Sequence, residues 1–169
     1  MIDKLKKYLP LLLLLLLSVL TFSTLLRPGY FPMHDDQQAI RLFEMDKCIK
    51  DGQIPCVWTP DLGYGYGYPQ FNYYGPLPYY VMEVFHLGGL GFLDSVKAAF
   101  IFSVVLSALG MYLLGNALWG KWGGFLSAIL FAFAPYRAVD MYVRGAAGEF
   151  WAMSVLPCIF WSILVIFKK

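Results

Sequence analysis

The side chains best suited to chemistry fall in two short stretches far apart in the chain. The first is His34, Asp35 and Asp36; the second runs from Tyr136 to Glu149 and holds Arg137, Asp140, Tyr142 and Arg144. A carboxylate facing a cleft can take a proton from an attacking hydroxyl, or bind a hard divalent cation such as Mg or Mn, with Asp36 and Asp140 the candidate ligands. Asp35 and Asp36 are neighbours, so on a helix they point about 100° apart and do not form a symmetric pair. One can cap the helix while the other faces a cavity. Arg144, with Arg137, can hold a phosphate, because the forked guanidinium matches its oxygens. Asp140 and Glu149 are candidate ligands for substrate or metal, and equally the ion-pair partners of the arginines. His34 is a candidate ligand or acid, although a lone histidine is more often a surface hydrogen-bonding group. Asp35 also has two readings: a base, or an N-cap that makes a capping box with Gln38.

Other chemistries are not indicated. The three cysteines form no CxxC pair, so neither a zinc knuckle nor a redox motif is present. Cys48 and Cys56 either pair in an oxidising compartment or remain thiols, and Cys158 reads as a small apolar residue within a span. The run Gly63-Tyr64-Gly65-Tyr66-Gly67 lacks the strand and helix that surround a dinucleotide fingerprint, and there is no nucleophile elbow. Nothing points to nucleic acid as a partner.

The elements that must position these residues are set by composition. Of 169 residues, 59% are hydrophobic and 14% charged, and the mean hydropathy is +0.60. A soluble domain has about 25% charged residues, so this is an all-α integral membrane protein. Uncharged residues 8–26 follow Lys4, Lys6 and Lys7 and match a hydrocarbon core of about 30 Å. The run is too long for a signal-peptide core and ends in Leu25-Leu26-Arg27-Pro28, without a small-residue cleavage site. Further spans are expected at 95–119, 122–136 and 149–167, the last kinked at Pro157.

Residues 27–94 form an outer loop between the first two spans. Within it, 35–51 reads as an amphipathic surface helix with Ala39, Leu42, Phe43, Met45 and Ile49 on one face and Gly52 ending it. Residues 53–80 are too rich in Pro, Gly and Tyr for a regular helix, and their tyrosines can pack on headgroups or stack on a sugar. The apolar stretch 78–93 contains Glu83 and His86, each costing a few kcal/mol at mid-membrane, so it is expected to lie at the surface. Four crossings then keep Lys121, Lys168 and Lys169 on the cytoplasmic side with both termini, as the positive-inside rule prefers. They also put both polar stretches at one face, where they can border one cavity.

The order of these motifs resembles the amino-terminal part of GT-C glycosyltransferases. The likeness rests on His34-Asp35-Asp36 after the first span and on the helix ending in Lys50-Asp51-Gly52-Gln53-Ile54-Pro55. It extends through the stretch from Tyr68-Pro69 to Tyr74-Gly75-Pro76-Leu77-Pro78-Tyr79-Tyr80, and Ala134-Pro135-Tyr136-Arg137-Ala138-Val139-Asp140. More narrowly, the chain is similar to bacterial membrane proteins grouped as 6-pyruvoyl-tetrahydropterin synthase-related; nothing in it looks like a soluble pterin enzyme. The resemblance implies a membrane glycosyltransferase of the bacterial plasma membrane. Such an enzyme takes a sugar from a polyprenyl-phosphate donor on the extracytoplasmic side, with membrane lipid as its surroundings. It implies Asp35 as base, Asp36 as its assistant or metal ligand, and Asp140 as the second-loop acid. Family members often have Glu where Asp36 stands. They are also longer, so the single membrane domain 1–169 would correspond to their first part, completed by a C-terminal portion or a partner subunit. The rival expectation is a non-catalytic membrane protein, a lipid-glycan carrier or an assembly subunit. A transporter is less well matched, because its spans should carry ionisable groups.

Overall fold

The computed structural model describes residues 2–168, with the backbone alone for residues 2–7. The side chains of Lys4, Lys6, Lys7 and Lys169, on which the sidedness argument partly rests, lie outside the described residues. The chain is helical, with one isolated β-bridge between Thr59 and Tyr68 among the described residues. In order, the elements are α1 Ile2–Phe22, a 3₁₀ turn Ser23–Leu26, α2 Gln38–Lys50, α3 Gln70–Tyr73, α4 Leu77–Leu87, α5 Phe92–Ala132, α6 Pro135–Val139, a π turn Asp140–Arg144, and α7 Ala147–Phe167. Three helical segments are long and apolar enough to cross a membrane: Tyr8–Leu26, Phe92–Ala132 and Ala147–Phe167.

The middle helix is not straight. Gly120 has φ 77° and ψ −180°, outside the helical region, and divides α5 into two limbs. A Cβ on Gly115 would lie 2.9 Å from the Cα of Gly124, and one on Gly124 would lie 2.6 Å from the carbonyl oxygen of Tyr112. In a continuous helix those residues would be more than ten ångströms apart, at about 1.5 Å per residue. The limbs therefore fold back on each other, and glycine lets the backbones touch, as small residues do between helices in lipid. The second limb stops at Ala132 because Pro135 follows: Ala134, before the proline, is forced to ψ 127°. At about 18 Å the second limb is shorter than the span expected at 122–136.

α7 packs along the first limb. Ser103 donates to Ser154 at 2.8 Å, and a Cβ on Gly110 would fall 2.5 Å from Sγ of Cys158. α7 runs through Pro157 as one helix, with the proline buried against that contact. α1 closes the bundle, with Leu14 buried among Ala108, Tyr112 and Ala128. Lys97 at the start of α5 donates to the Arg27 carbonyl at 2.9 Å, tying down the chain where it leaves α1. Large apolar side chains such as Leu16, Leu20, Leu130 and Phe160 face outward, the pattern of a surface in contact with lipid.

Residues 27–91 form a cap over one end of the bundle. α4 is about 16 Å long and cannot cross a core of about 30 Å, which agrees with its reading as a surface element. Glu83 is nonetheless buried, with no donor on either carboxylate oxygen, and burial first, then the neighbouring Asp46, raises its pKa. The His86 ring stacks on Phe92 at 4.0 Å, a packing role.

α2 differs from expectation. It begins at Gln38 rather than Asp35, its N-cap is Gln37, and no side chain caps it. It does end as expected, at Lys50 before Gly52 in a left-handed conformation. Its polar residues Gln38, Arg41, Glu44 and Asp46 are buried, while Phe43 from the supposed core face is 37% exposed. The cause is the Pro/Gly/Tyr stretch, which folds over α2. Gln53 Oε1 accepts from the amides of Val57 and Trp58, Asp61 N–H donates to Glu44, and Thr59 and Tyr68 exchange backbone hydrogen bonds at 2.9 Å. Cys48 and Cys56 form a disulfide with their Cα atoms 5.7 Å apart, which joins the end of α2 to the start of this stretch.

Two outcomes follow. Denatured without reductant, the chain should take up one alkylating group, at Cys158, and with reductant three, counted by intact mass. Gly124→Val should lose about 1–3 kcal/mol by forcing the limbs of α5 apart, read as a lower midpoint of helix melting in detergent.

Candidate functional site at the capped end of the bundle

The two polar stretches meet through their backbones. His34 N–H donates to the Val143 carbonyl and Asp35 N–H to the Arg144 carbonyl, both at 2.8 Å. Gln38 Nε2 donates to the Gly145 carbonyl, also at 2.8 Å. Gly145 has φ 66°, and a Cβ there would sit 2.1 Å from Sδ of Met33, so the seam needs glycine at that position.

Asp35 is oriented, not capping. Its Oδ2 accepts from Gln38 Nε2 at 3.0 Å, from Arg41 Nη1 at 2.9 Å and from the Tyr74 hydroxyl at 3.3 Å. No donor among the described residues bonds to Oδ1. The capping-box expectation fails because the Gln38 side chain, rather than a backbone amide of the first turn, takes the carboxylate. Arg41 is buried and also lies over the Tyr74 ring, 4.2 Å from its centroid. Behind it, the buried Tyr79 hydroxyl donates to Gln38 Oε1 at 2.7 Å. Asp36 is exposed and has no ion pair or hydrogen bond among the described residues, and His34 is exposed beside it.

The second stretch divides. Arg144 Nη1 contacts Asp140 Oδ1 at 3.0 Å, Glu149 Oε2 at 2.7 Å and the Tyr136 hydroxyl at 2.7 Å, and Tyr136 donates to Glu149 Oε1. Nε and Nη2 of Arg144 make no hydrogen bond among the described residues, and the side chain is 43% exposed. Asp140 is fully buried; burial first, then Glu149, pushes its pKa up to about 6. Tyr142 leaves the cluster and donates to the Thr21 carbonyl. Arg137 leaves it too, turning into the bundle to donate from Nη2 to Ser107 and Ser154. The expectation that ionisable groups stay at one surface is therefore corrected at Arg137.

Two hollows flank Tyr74. One of about 550 Å³ is lined by Gln37, Arg41, Tyr64, Tyr68 and Tyr74. The other, about 300 Å³, is lined by Tyr73, Tyr74, Arg144 and Glu149. Asp35 itself lines neither hollow; its partner Tyr74 lines both, and its partner Arg41 lines the larger. The sequence did not single out Arg41, and it offered Gln38 only as a capping partner and Tyr74 and Tyr79 only as part of the aromatic-proline stretch. The stripe Gln38–Arg41–Met45–Cys48, one helical face ending in a cysteine, was the available signal.

A divalent ion fits this chain in a restricted way. Among the described residues no three His, Cys, Asp or Glu side chains come together, and Asp140 already faces Arg144. Asp36 is the one acid of the two stretches with no partner. A magnesium ion often uses one or two carboxylates together with substrate phosphates, and that mode suits Asp36 better than a preformed cage would.

Asp140 makes the site sensitive to pH. Its folded-state pKa near 6 lies above the ordinary carboxylate value, so the folded chain binds the proton more tightly than the unfolded one. Its contribution to stability therefore improves as pH falls from 7 through 6 and worsens as pH rises. Asp140→Asn should gain less in melting midpoint between pH 7 and pH 5 than the parent chain. Glu44 and Glu83, also raised by burial, titrate equally in both and cancel.

Compared with known proteins, the chain is 26% identical over 134 residues to an uncharacterized protein of Lactococcus lactis subsp. cremoris, an alignment covering 76% of this chain and 22% of that protein. The chain thus spans about a fifth of the length of that curated relative. No protein-family model matches the chain, and no solved structure matches it.

Proposed function

We propose that this chain belongs to a GT-C-like membrane glycosyltransferase of the bacterial plasma membrane, and that it transfers a sugar from a polyprenyl-phosphate donor to an acceptor hydroxyl at the extracytoplasmic face. The observation that carries the reading is Asp35: three donors fix its Oδ2, no donor among the described residues bonds to Oδ1, and its partners Tyr74 and Arg41 line the adjoining hollows. A carboxylate held in this way is oriented to accept a proton through the free oxygen. Tyr68 and Tyr74 offer ring faces for a sugar. Arg144 offers Nε and Nη2 to a phosphate, while Asp140 and Glu149 hold its Nη1. Asp36 would meet a divalent ion carried with the donor phosphates, which would neutralise charge on the leaving group; His34 lies beside it as a further contact. Four crossings with both termini cytoplasmic belong to this reading: the reversal of α5 at Gly120 favours an even count, and α4 carries the buried Glu83 within the cap. The disulfide in the cap is in keeping with an oxidising side.

A second reading, a lipid-glycan carrier or assembly subunit without catalysis, is favoured by one observation. Around Arg144 two carboxylates face one guanidinium, so the cluster already satisfies its own charge and repels a further anion while Asp140 is ionised.

Two measurements test the reading. Single cysteines at positions 36 and 149, both exposed where Asp140 is fully buried, should label from outside intact cells in a cysteine-free background, while one at 121 should not. Asp35→Asn should lower sugar transfer by about a hundredfold or more at unchanged protein level. Transfer left intact by Asp35→Asn and Asp36→Asn together would remove the base and leave the carrier reading.

A further inference from the structure

Below the cap, among α1, α5, α6 and α7, lies a cavity of about 260 Å³. Its walls are almost wholly apolar, including Val104, Ala132, Met141 and Phe150. Thr21 and Tyr142 add hydroxyls, the latter spent on the Thr21 carbonyl, and Arg137 is the one charged residue of the lining. Its side chain is buried at 4% exposure, and its Nη1 has no hydrogen-bond partner among the described residues. Nη2 is fixed by the hydroxyls of Ser107 at 2.9 Å and Ser154 at 3.2 Å, and the guanidinium lies 4.9 and 4.5 Å from the ring centroids of Phe131 and Phe150. Ser154 is two turns into α7, so the charge is held inside the bundle and not at its rim.

No carboxylate lies within ion-pair distance of Arg137 among the described residues. The nearest acid along its own segment, Asp140, holds Arg144 through Oδ1 and has no hydrogen bond on Oδ2 among the described residues; it attracts Arg137 electrostatically without forming an ion pair with it. A buried charge with no carboxylate in contact is strongly disfavoured, even with Asp140 acting on it from a distance, and an ionised group at membrane depth marks a site more often than a packing choice. The rim tells which phase supplies the partner. Leu20, 62% exposed, and Phe133, 45% exposed, flank the opening, and Leu20 lies in the apolar belt of α1. The opening thus faces hydrocarbon rather than water.

We infer that this cavity binds the anionic headgroup of a membrane lipid, a phosphate received by Nη1 of Arg137 with the adjoining chain against the apolar walls. The inference does not depend on sugar transfer or on Asp35. A phosphate-headed lipid satisfies every feature at once: a negative oxygen for a fixed donor, an apolar body for the walls, and entry from the bilayer.

The test is lipid retention by the chain in neutral-detergent micelles, read by native mass spectrometry. The probes are phosphatidylglycerol, an isoprenoid monophosphate, phosphatidylcholine with no net charge, and inorganic phosphate. Either anionic lipid should bind at one site and phosphatidylcholine should not; which of the two binds more tightly identifies the natural class. Arg137→Gln should weaken retention about tenfold or more, the value of one charge-assisted hydrogen-bonded contact. Because Arg137→Gln can unsettle the bundle, Ala132→Phe provides the independent arm: it fills the cavity, leaves the guanidinium in place, and should also abolish binding at an unchanged melting midpoint. Arg137→Lys, which keeps the charge, should retain part of the affinity. Unchanged lipid binding in both Arg137→Gln and Ala132→Phe would overturn the inference. So would binding of inorganic phosphate equal to that of the lipids, which would make the site an anion pocket filled from water.

Discussion

The capped end depends on one seam, where residues 33–35 lie against residues 143–145. Two backbone hydrogen bonds and the Gln38 side chain close it, and Gly145 permits it by leaving room for Met33. The seam fixes the height of Asp35 above the bundle, and hence where Arg41 and Tyr74 must come to meet it. It also anchors the turn that carries Asp140 and Arg144. Two stretches more than a hundred residues apart thereby share one surface, although no ion pair joins them directly.

Around that seam the polar groups are organised by tight local pairing. Asp35 serves Arg41, Gln38 and Tyr74 through one oxygen, and Arg144 serves Asp140, Glu149 and Tyr136 through one nitrogen. Each leaves its other side-chain polar atoms without a hydrogen bond among the described residues. Such one-sided satisfaction keeps a charged group rigid while part of it stays available, which is what binding or proton transfer asks of a site. Arg137 follows the same rule inside the bundle, with Nη2 held and Nη1 unbonded.

Much of this was legible in the sequence, and the rest was not for identifiable reasons. The apolar runs, the reversal near residue 120 and the end of α2 at Gly52 follow from length, glycine and proline, and the surface reading of α4 from Glu83 and His86. So does the placing of His34–Asp36 near Asp140 and Arg144, which needs only an even count of crossings between them. The inside of the cap was not legible. Apolar periodicity picks the face of α2 that packs on the core through Leu42 and Met45, but the helix also buries Gln38, Arg41, Glu44 and Asp46, because an irregular stretch with its own turns and a disulfide covers it. Arg137 was misplaced because position in the chain gives where a backbone lies, not how far a long side chain reaches. The early end of the second limb was hidden because composition shows apolar residues through Phe133, whereas Pro135 decides where the helix stops.

That short limb bears on the membrane itself. Beside α1 and α7, which are long enough to cross, the second limb of α5 offers a hydrophobic height of about 18 Å against a core of about 30 Å. Each ångström of mismatch costs a fraction of a kcal/mol, so the deficit on this flank amounts to several. The bilayer can meet it by thinning locally, or another helix can lie against that flank and remove it from lipid. Either way the molecule is lopsided in the plane of the membrane, with a preferred side for its neighbours.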